Sequence, residues 1–284
     1  MTKILVGVDG TARGDRAVEW AARRAHRTSS QLTLITAVGL DSAKAFGADT
    51  DAVRDTVEAA LKGLAEKIVQ ECEGVQVDWL IHDEGILEAL ADASEGYDMV
   101  VLGSHHNAKI GEMLGGTKGL RLSITASVPT VVVPESWSFD DQGRGIVVGV
   151  GPDDFDEGAI SFGVREAIAT GETLELVSAW GLPAGLSRPA EAMGGGLGPV
   201  GDQFQAKIDA HIERIKAEHP DLEVSGRTIE GSSPSKVLIA HGGKRRLLVM
   251  GTHARSAFGR AIFGSVTHDV LLSPNIPTVV VPKP

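Results

Sequence analysis

The chain carries one stretch of sequence twice, and this repeat limits its possible folds more than any other feature. Ile4-Leu5-Val6-Gly7-Val8-Asp9-Gly10 returns 142 residues later as Ile146-Val147-Val148-Gly149-Val150-Gly151-Pro152. Leu32-Thr33-Leu34-Ile35-Thr36-Ala37 returns at the same spacing as Leu174-Glu175-Leu176-Val177-Ser178-Ala179. Further along, the spacing becomes 148: Val100-Val101-Leu102-Gly103-Ser104-His105 matches Leu248-Val249-Met250-Gly251-Thr252-His253. Val128-Pro129-Thr130-Val131-Val132-Val133-Pro134 matches Ile276-Pro277-Thr278-Val279-Val280-Val281-Pro282 at that same spacing. The change puts a net insertion of six residues in the second copy, expected in the Gly- and Pro-rich stretch Gly181 to Gly201. The 284 residues therefore read as one domain written twice, 1–135 and 145–284, joined by a linker at 136–144.

Each copy alternates strand and helix signals. Residues 3–9, 32–38, 76–81, 99–103 and 129–133 are short, rich in β-branched side chains and bounded by turn residues, which predicts strands. Their nearly unbroken apolar runs suit strands covered on both faces. Ala17, Ala21 and Ala25 form one helical stripe, and Val53, Val57, Ala60, Leu61, Leu64 and Ile68 form a second. Ile86 to Ala93 and Lys118 to Ala126 read as shorter helices. Strands alternating with helices imply parallel pairing through right-handed crossovers. The expected fold class is α/β, with each copy a five-stranded, doubly wound parallel sheet carrying helices on both faces.

Composition narrows the functional classes. There are 27 basic and 38 acidic residues, a formal net charge of −11, and no long Lys/Arg block, which argues against a nucleic-acid partner. The single cysteine, Cys72, stands in no metal-ligand spacing and fits a reducing compartment. The apolar start Ile4-Leu5-Val6 is too short for a signal-peptide core, and no run reaches the ~18 apolar residues of a membrane span. A cytoplasmic protein without a membrane partner is expected.

In open parallel sheets, ligands gather beyond the carboxyl ends of the strands, where the strand order reverses. Two such ends stand out. After the first strand, Val8-Asp9-Gly10 offers a carboxylate beside a residue free to turn sharply. After the fourth, glycines at 103, 111, 115, 116 and 119 punctuate a loop in which Gly116-Thr117 opens the next helix. Bare N–H groups and a helix dipole at such a place favour an anion, although Gly-Thr is also an ordinary helix cap. The frame recurs at Gly251 and at Gly264-Ser265. Lys118 stands where it would neutralise a phosphate, and an exposed helical lysine is the plainer reading. His105 and His106 are adjacent in a loop and have no carboxylate or thiol at ligand spacing, so no protein-built metal site is expected.

On these residues the sequence resembles the universal stress protein family over nearly its whole length, twice. The resemblance implies Rossmann-like domains and, in the ATP-binding branch, a motif written G-x-x-G-x9-G-[ST]. Here it reads Gly103, His106, Gly116, Thr117 in the first copy and Gly251, Ala254, Gly264, Ser265 in the second. Both copies lack the middle glycine. The family's acidic contact to the nucleotide falls on Asp9 and, in the second copy, on Gly151, with Asp153 and Asp154 close by. By the same resemblance Val38 and Trp180 would lie beside the adenine, where a core or rim role is the plain alternative. Val8, Gly10, Leu102, Lys118, Met250 and Val266 complete the two expected sites.

The implied cofactor is ATP, ADP or AMP, with Mg²⁺ carried by the phosphates and Asp9 as its one candidate protein ligand. The implied function is a nucleotide-binding stress regulator. A scaffold with decayed sites and a weak ATPase are the alternatives; the chain has neither a G-x-x-x-x-G-K-[ST] loop nor a G-x-S-x-G elbow. Val131-Val132-Val133 and Val279-Val280-Val281 end each copy as apolar strands whose exposed edges invite pairing. The expected assembly is an intramolecular pseudo-dimer of the two copies that associates further into a homodimer. Sedimentation velocity with and without ATP is expected to give twice the 284-residue mass, and a monomer under both conditions would refute the homodimer.

Overall fold

The computed structural model describes residues 1–39, 49–83, 85–104, 126–140, 143–151, 156–181, 198–231, 233–252, 265–272 and 274–283. It divides into two units, Met1–Phe139 with Leu272–Pro274, and Asp140–Leu271 with Asn275–Pro284. Unit one runs β1 (Lys3–Gly7), α1 (Ala12–Thr28), β2 (Gln31–Ala37), α2 (Thr50–Glu71), β3 (Gln76–His82), α3 (Ile86–Ser94), β4 (Met99–Ser104) and β5 (Thr130–Pro134). Its strands lie in the order β3-β2-β1-β4-β5. All four neighbour pairs are parallel. The chain moves outward from β1 through β2 to β3, then returns to β4 on the other side. The order therefore reverses between β1 and β4, where Val6 is level with both Leu34 and Val101.

Burial explains the strand sequences. Ile4, Leu5, Val6, Leu32, Leu34, Val100, Val101, Val131 and Val133 have no exposed surface. Helices cover both faces, so a polar residue mid-strand would be desolvated. β3, at one end of the order, alternates between exposed and partly buried positions. The stripe Ala17, Ala21 and Ala25 is wholly buried, and α1 is set by the Thr11 cap before it and a left-handed Ser29 after it. The second stripe needs correction. Leu61, Ala65 and Ile68 are the buried residues of α2, while Ala60 is exposed and Val53 and Val57 are only half-buried. Burial on α2 begins only at Leu61, so only the later turns reach the core. Of the expected helix from Lys118 to Ala126, residues 118–125 lie outside the described residues.

Unit two repeats the plan with β6 (Ile146–Gly149), α4 (Glu157–Thr170), β7 (Leu174–Trp180), α5 (Gly198–Glu218), β8 (Val224–Glu230), α6 (Pro234–Gly242), β9 (Leu247–Gly251), α7 (Ser265–Leu272) and β10 (Thr278–Val281). Its order is β8-β7-β6-β9-β10, again parallel, with the reversal between β6 and β9. Within the expected insertion, residues 182–197 lie outside the described ones.

Among the described strands the other buried polar residues, such as Thr33 and Ser178, are uncharged, and one buried residue carries a charge. Glu175, in the middle of β7 where unit one has Thr33, is 3% exposed. A charge there must be paired. Arg227 Nε lies 2.6 Å from Oε1, His241 Nε2 lies 3.0 Å from Oε2, and Arg245 donates to Oε2 as well. Burial pushes the Glu175 carboxyl up, but the His241 hydrogen bond and the nearby charges of Arg245, His241 and Arg227 outweigh it and hold the group below its usual range.

Glu175→Gln leaves these cations facing a neutral group. The unfolding free energy should fall by about 2 kcal/mol at pH 7, less than for a fully enclosed pair because Arg227 and Arg245 keep contact with water. A carboxyl with a depressed folded pKa contributes fully above its unfolded value of about 4.3 and loses that contribution as pH falls through the folded value. Urea unfolding should therefore show the gap between wild type and variant shrinking from pH 5 to pH 3.

Candidate functional site

In unit one the switch point is shaped by the turn from β1 into α1. β1 ends at Gly7, but Val8 stays aligned with β2: its N–H donates to Ile35 O at 2.8 Å and its carbonyl accepts from Thr36 Oγ1 at 2.7 Å. Gly10 then takes a φ of +68°, a left-handed turn that favours glycine, and among the described residues a Cβ there would meet nothing within 4 Å.

Asp9 organises this turn. Its Oδ1 accepts from Thr11 N at 3.1 Å and Thr11 Oγ1 at 2.5 Å, and Arg13 Nε donates to Oδ2 at 3.2 Å. Burial raises the Asp9 pKa, but the Thr11 hydroxyl and amide and the Arg13 guanidinium outweigh burial and keep the carboxyl ionised below its usual range. The side chain remains 38% exposed. Thr11 Oγ1 in turn caps α1 by accepting from Gly14 N at 3.4 Å. Gly14 has no room for a side chain, since a Cβ there would overlap Asp9 Oδ1.

At the end of β4, Leu102 is buried, and Gly103 lies so close to α1 that a Cβ would overlap the Arg13 carbonyl. The first glycine of the motif thus has a packing reason as well as a proposed phosphate one. Val38, past the end of β2, is half-buried and donates its N–H to His82 O at 2.9 Å. The structure brings Val8, Asp9, Gly10, Val38, Leu102 and Gly103 to the carboxyl end of one sheet. His106, Gly116, Thr117 and Lys118 lie outside the described residues.

Unit two arrives at a related turn by different residues. Gly151 stands at the position of Asp9, and its N–H donates to Asp156 Oδ2 at 2.6 Å. Asp156 stands at the position of Gly14 and is 3% exposed. Aspartate and glycine have traded places across the turn, so each unit keeps a carboxylate in contact with it. Asp156 precedes α4 but makes no side-chain cap bond to that helix. The sequence reading looked for the missing acid at Asp153 and Asp154, which lie outside the described residues, and missed Asp156. The paired exchange, Asp9 with Gly14 against Gly151 with Asp156, was the available signal.

Trp180 ends β7 and stacks on Phe204 of α5, with ring centroids 6.0 Å apart and planes 15° from parallel. Gly201, one turn earlier, lets α5 rest on the indole: a Cβ there would stand 2.9 Å from Trp180 Cζ2. Met250 and Val266 pack in the core cluster with Val147, Leu238 and Val270. Gly251 is buried, and its carbonyl accepts from the buried Thr267 Oγ1 at 3.2 Å, which ties α7 to β9. Ser265, the first residue of α7, is exposed. Ala254 and Gly264 lie outside the described residues.

The described residues contain no group of three His, Cys, Asp or Glu side chains able to share a metal ion. The oxygens of Asp9 are already engaged by Thr11 and Arg13, which suits a hydrogen-bond acceptor better than a metal ligand. Two open depressions, about 620 and 450 Å³, lie toward the amino ends of the strands, around Thr173 and Glu223 and around Lys3 and Gln31. Neither is at a switch point.

The comparisons agree with the repeat. The model of the universal stress protein family matches residues 1–134 and again 144–282. A universal stress protein of Mycolicibacterium smegmatis is 28% identical over 98% of this chain and 96% of its own. Universal stress protein Rv2005c of Mycobacterium tuberculosis is 25% identical over the same shares. A solved universal stress protein from Archaeoglobus fulgidus is similar in fold, with a TM-score of 0.70 over 99% of this chain and 98% of its own at 16% identity.

The contact between Asp9 and Gly14 predicts non-additive substitutions. Gly14→Ala should cost about 1–2 kcal/mol in the wild type, because its methyl group meets the carboxylate. In an Asp9→Gly background the same change should be neutral or stabilising, since alanine is the better helix former. A double-mutant cycle by urea unfolding checks this, and additivity within about 0.5 kcal/mol would show that the carboxylate does not hold that space.

Proposed function

Because the chain belongs to the universal stress protein family, with two of its domains in one polypeptide, we propose that it binds an adenine nucleotide and works as a stress-response regulator. Bound ATP, ADP or AMP sets its conformation or its contacts with a partner. The observation that carries this reading is Asp9, an ionised, half-exposed carboxylate beside the left-handed turn at Gly10 at the switch point of unit one. An acceptor held there suits the amino and hydroxyl donors of a nucleoside. Gly103, at the end of β4, begins the family's phosphate motif.

With a net charge of −11, the chain offers a phosphate no general attraction, so the pull must be local. Mg²⁺ suits this role when it is held mainly by phosphate oxygens and water. Among the described residues no helix is long and apolar enough to cross a membrane, and we assign the protein to the cytoplasm.

Titration calorimetry of the purified chain with ATP, ADP and AMP, each with and without Mg²⁺, tests the reading. Binding well below millimolar is expected for at least one of the three. Asp9→Asn should weaken it about tenfold, the loss of roughly one charged hydrogen bond. No binding below millimolar by any of the three would refute the regulator. Steady turnover that disappears with Asp9→Asn would instead make the protein an ATPase.

A further inference from the structure

The two switch points share a fold but not a chemistry. We propose that unit one alone keeps a crevice turned toward a ligand, that unit two has turned the corresponding groups inward, and that the chain therefore holds one nucleotide rather than two. This rests on the nucleotide reading above and adds to it the number of sites and their address.

Two contrasts carry the proposal. The carboxylate of unit one is 38% exposed, whereas Asp156 is 3% exposed and bonded to the Gly151 amide. A ligand donor arriving at Gly151 finds no acceptor side chain, and a ligand acceptor finds the backbone N–H already donated to Asp156. At the end of the second strand, unit one has the small Val38, and unit two has an indole already stacked on Phe204 and covered by the approach at Gly201. One face of this partly buried indole is spent on the protein's own helix.

The helix that carries Phe204 is itself tied to the rest of unit two. α5 is fixed at several points: Gln205 Oε1 accepts from Thr228 N at 3.0 Å, and Arg214 pairs with Glu157 at 2.7 Å. Moving α5 away from Trp180 would break these ties together. Gly264 and Ser265 supply at most the phosphate end of a site, and a phosphate contact alone does not select a nucleoside.

The test counts nucleotides per chain by equilibrium dialysis of labelled ATP with Mg²⁺ on the full chain, alongside thermal unfolding. One nucleotide per chain is expected. Asp156→Asn and Phe204→Ala should leave affinity within twofold of wild type, and each should lower Tm by about 3–5 °C as an internal tie is lost. Two nucleotides per chain, or a loss of affinity in either variant, would overturn the proposal. If the wild type binds no nucleotide, the regulator reading fails separately. The inward-turned groups are then judged on stability: lowered Tm in both variants supports their internal role, and unchanged Tm in both refutes it.

Discussion

Each unit depends on one constraint, a parallel sheet covered by helices on both faces. With little solvent on either side, a central strand carries few polar side chains along its length, and a charge must be paired where it stands. Because every crossover returns the chain to the amino end of the sheet, all carboxyl ends rise together. The place with freedom to vary is also the place where a ligand can reach the backbone. Glu175 shows how demanding the rule is, since a single carboxylate within a strand is held by two arginines and a histidine.

The same constraint explains why so much of the fold was legible. A strand buried on both faces must be continuously apolar, and the ends of the expected strands lie within about two residues of those observed. The repeat supplied the second unit from the first. Helix packing was less legible. Ala60 and Ala65 have the same side chain on the same helix, and which of them is buried depends on how α2 meets β3, a long-range fact that no helical period encodes. α1 begins at Ala12, well before its alanine stripe, because the Thr11 hydroxyl caps it.

At the candidate site, position was legible and partnership was not. Asp9 and Gly10 announce themselves as a carboxylate and a turn at the end of an apolar run. That Thr11 and Arg13 engage both oxygens follows from backbone angles that only the structure supplies. Trp180 drew attention through its place in the repeat, yet its stacking partner, Phe204, lies on a helix beyond an insertion that has no counterpart in the first copy. Asp156 escaped because matching the repeats by residue type registers Asp9 against Gly151 and Gly14 against Asp156 as two unrelated differences.

That exchange also constrains the order of events by which the two halves diverged. An intermediate with aspartate at both positions would force a side chain into the volume already taken by a carboxylate and set two like charges together. An intermediate with glycine at both would lack only the hydrogen bonds of that one carboxylate. The accessible path between the halves therefore passes through the glycine pair, a turn for a time held by backbone alone. A charge in one place in the fold can outlive the residue that first supplied it, so a comparison of the copies by identity undercounts what they share.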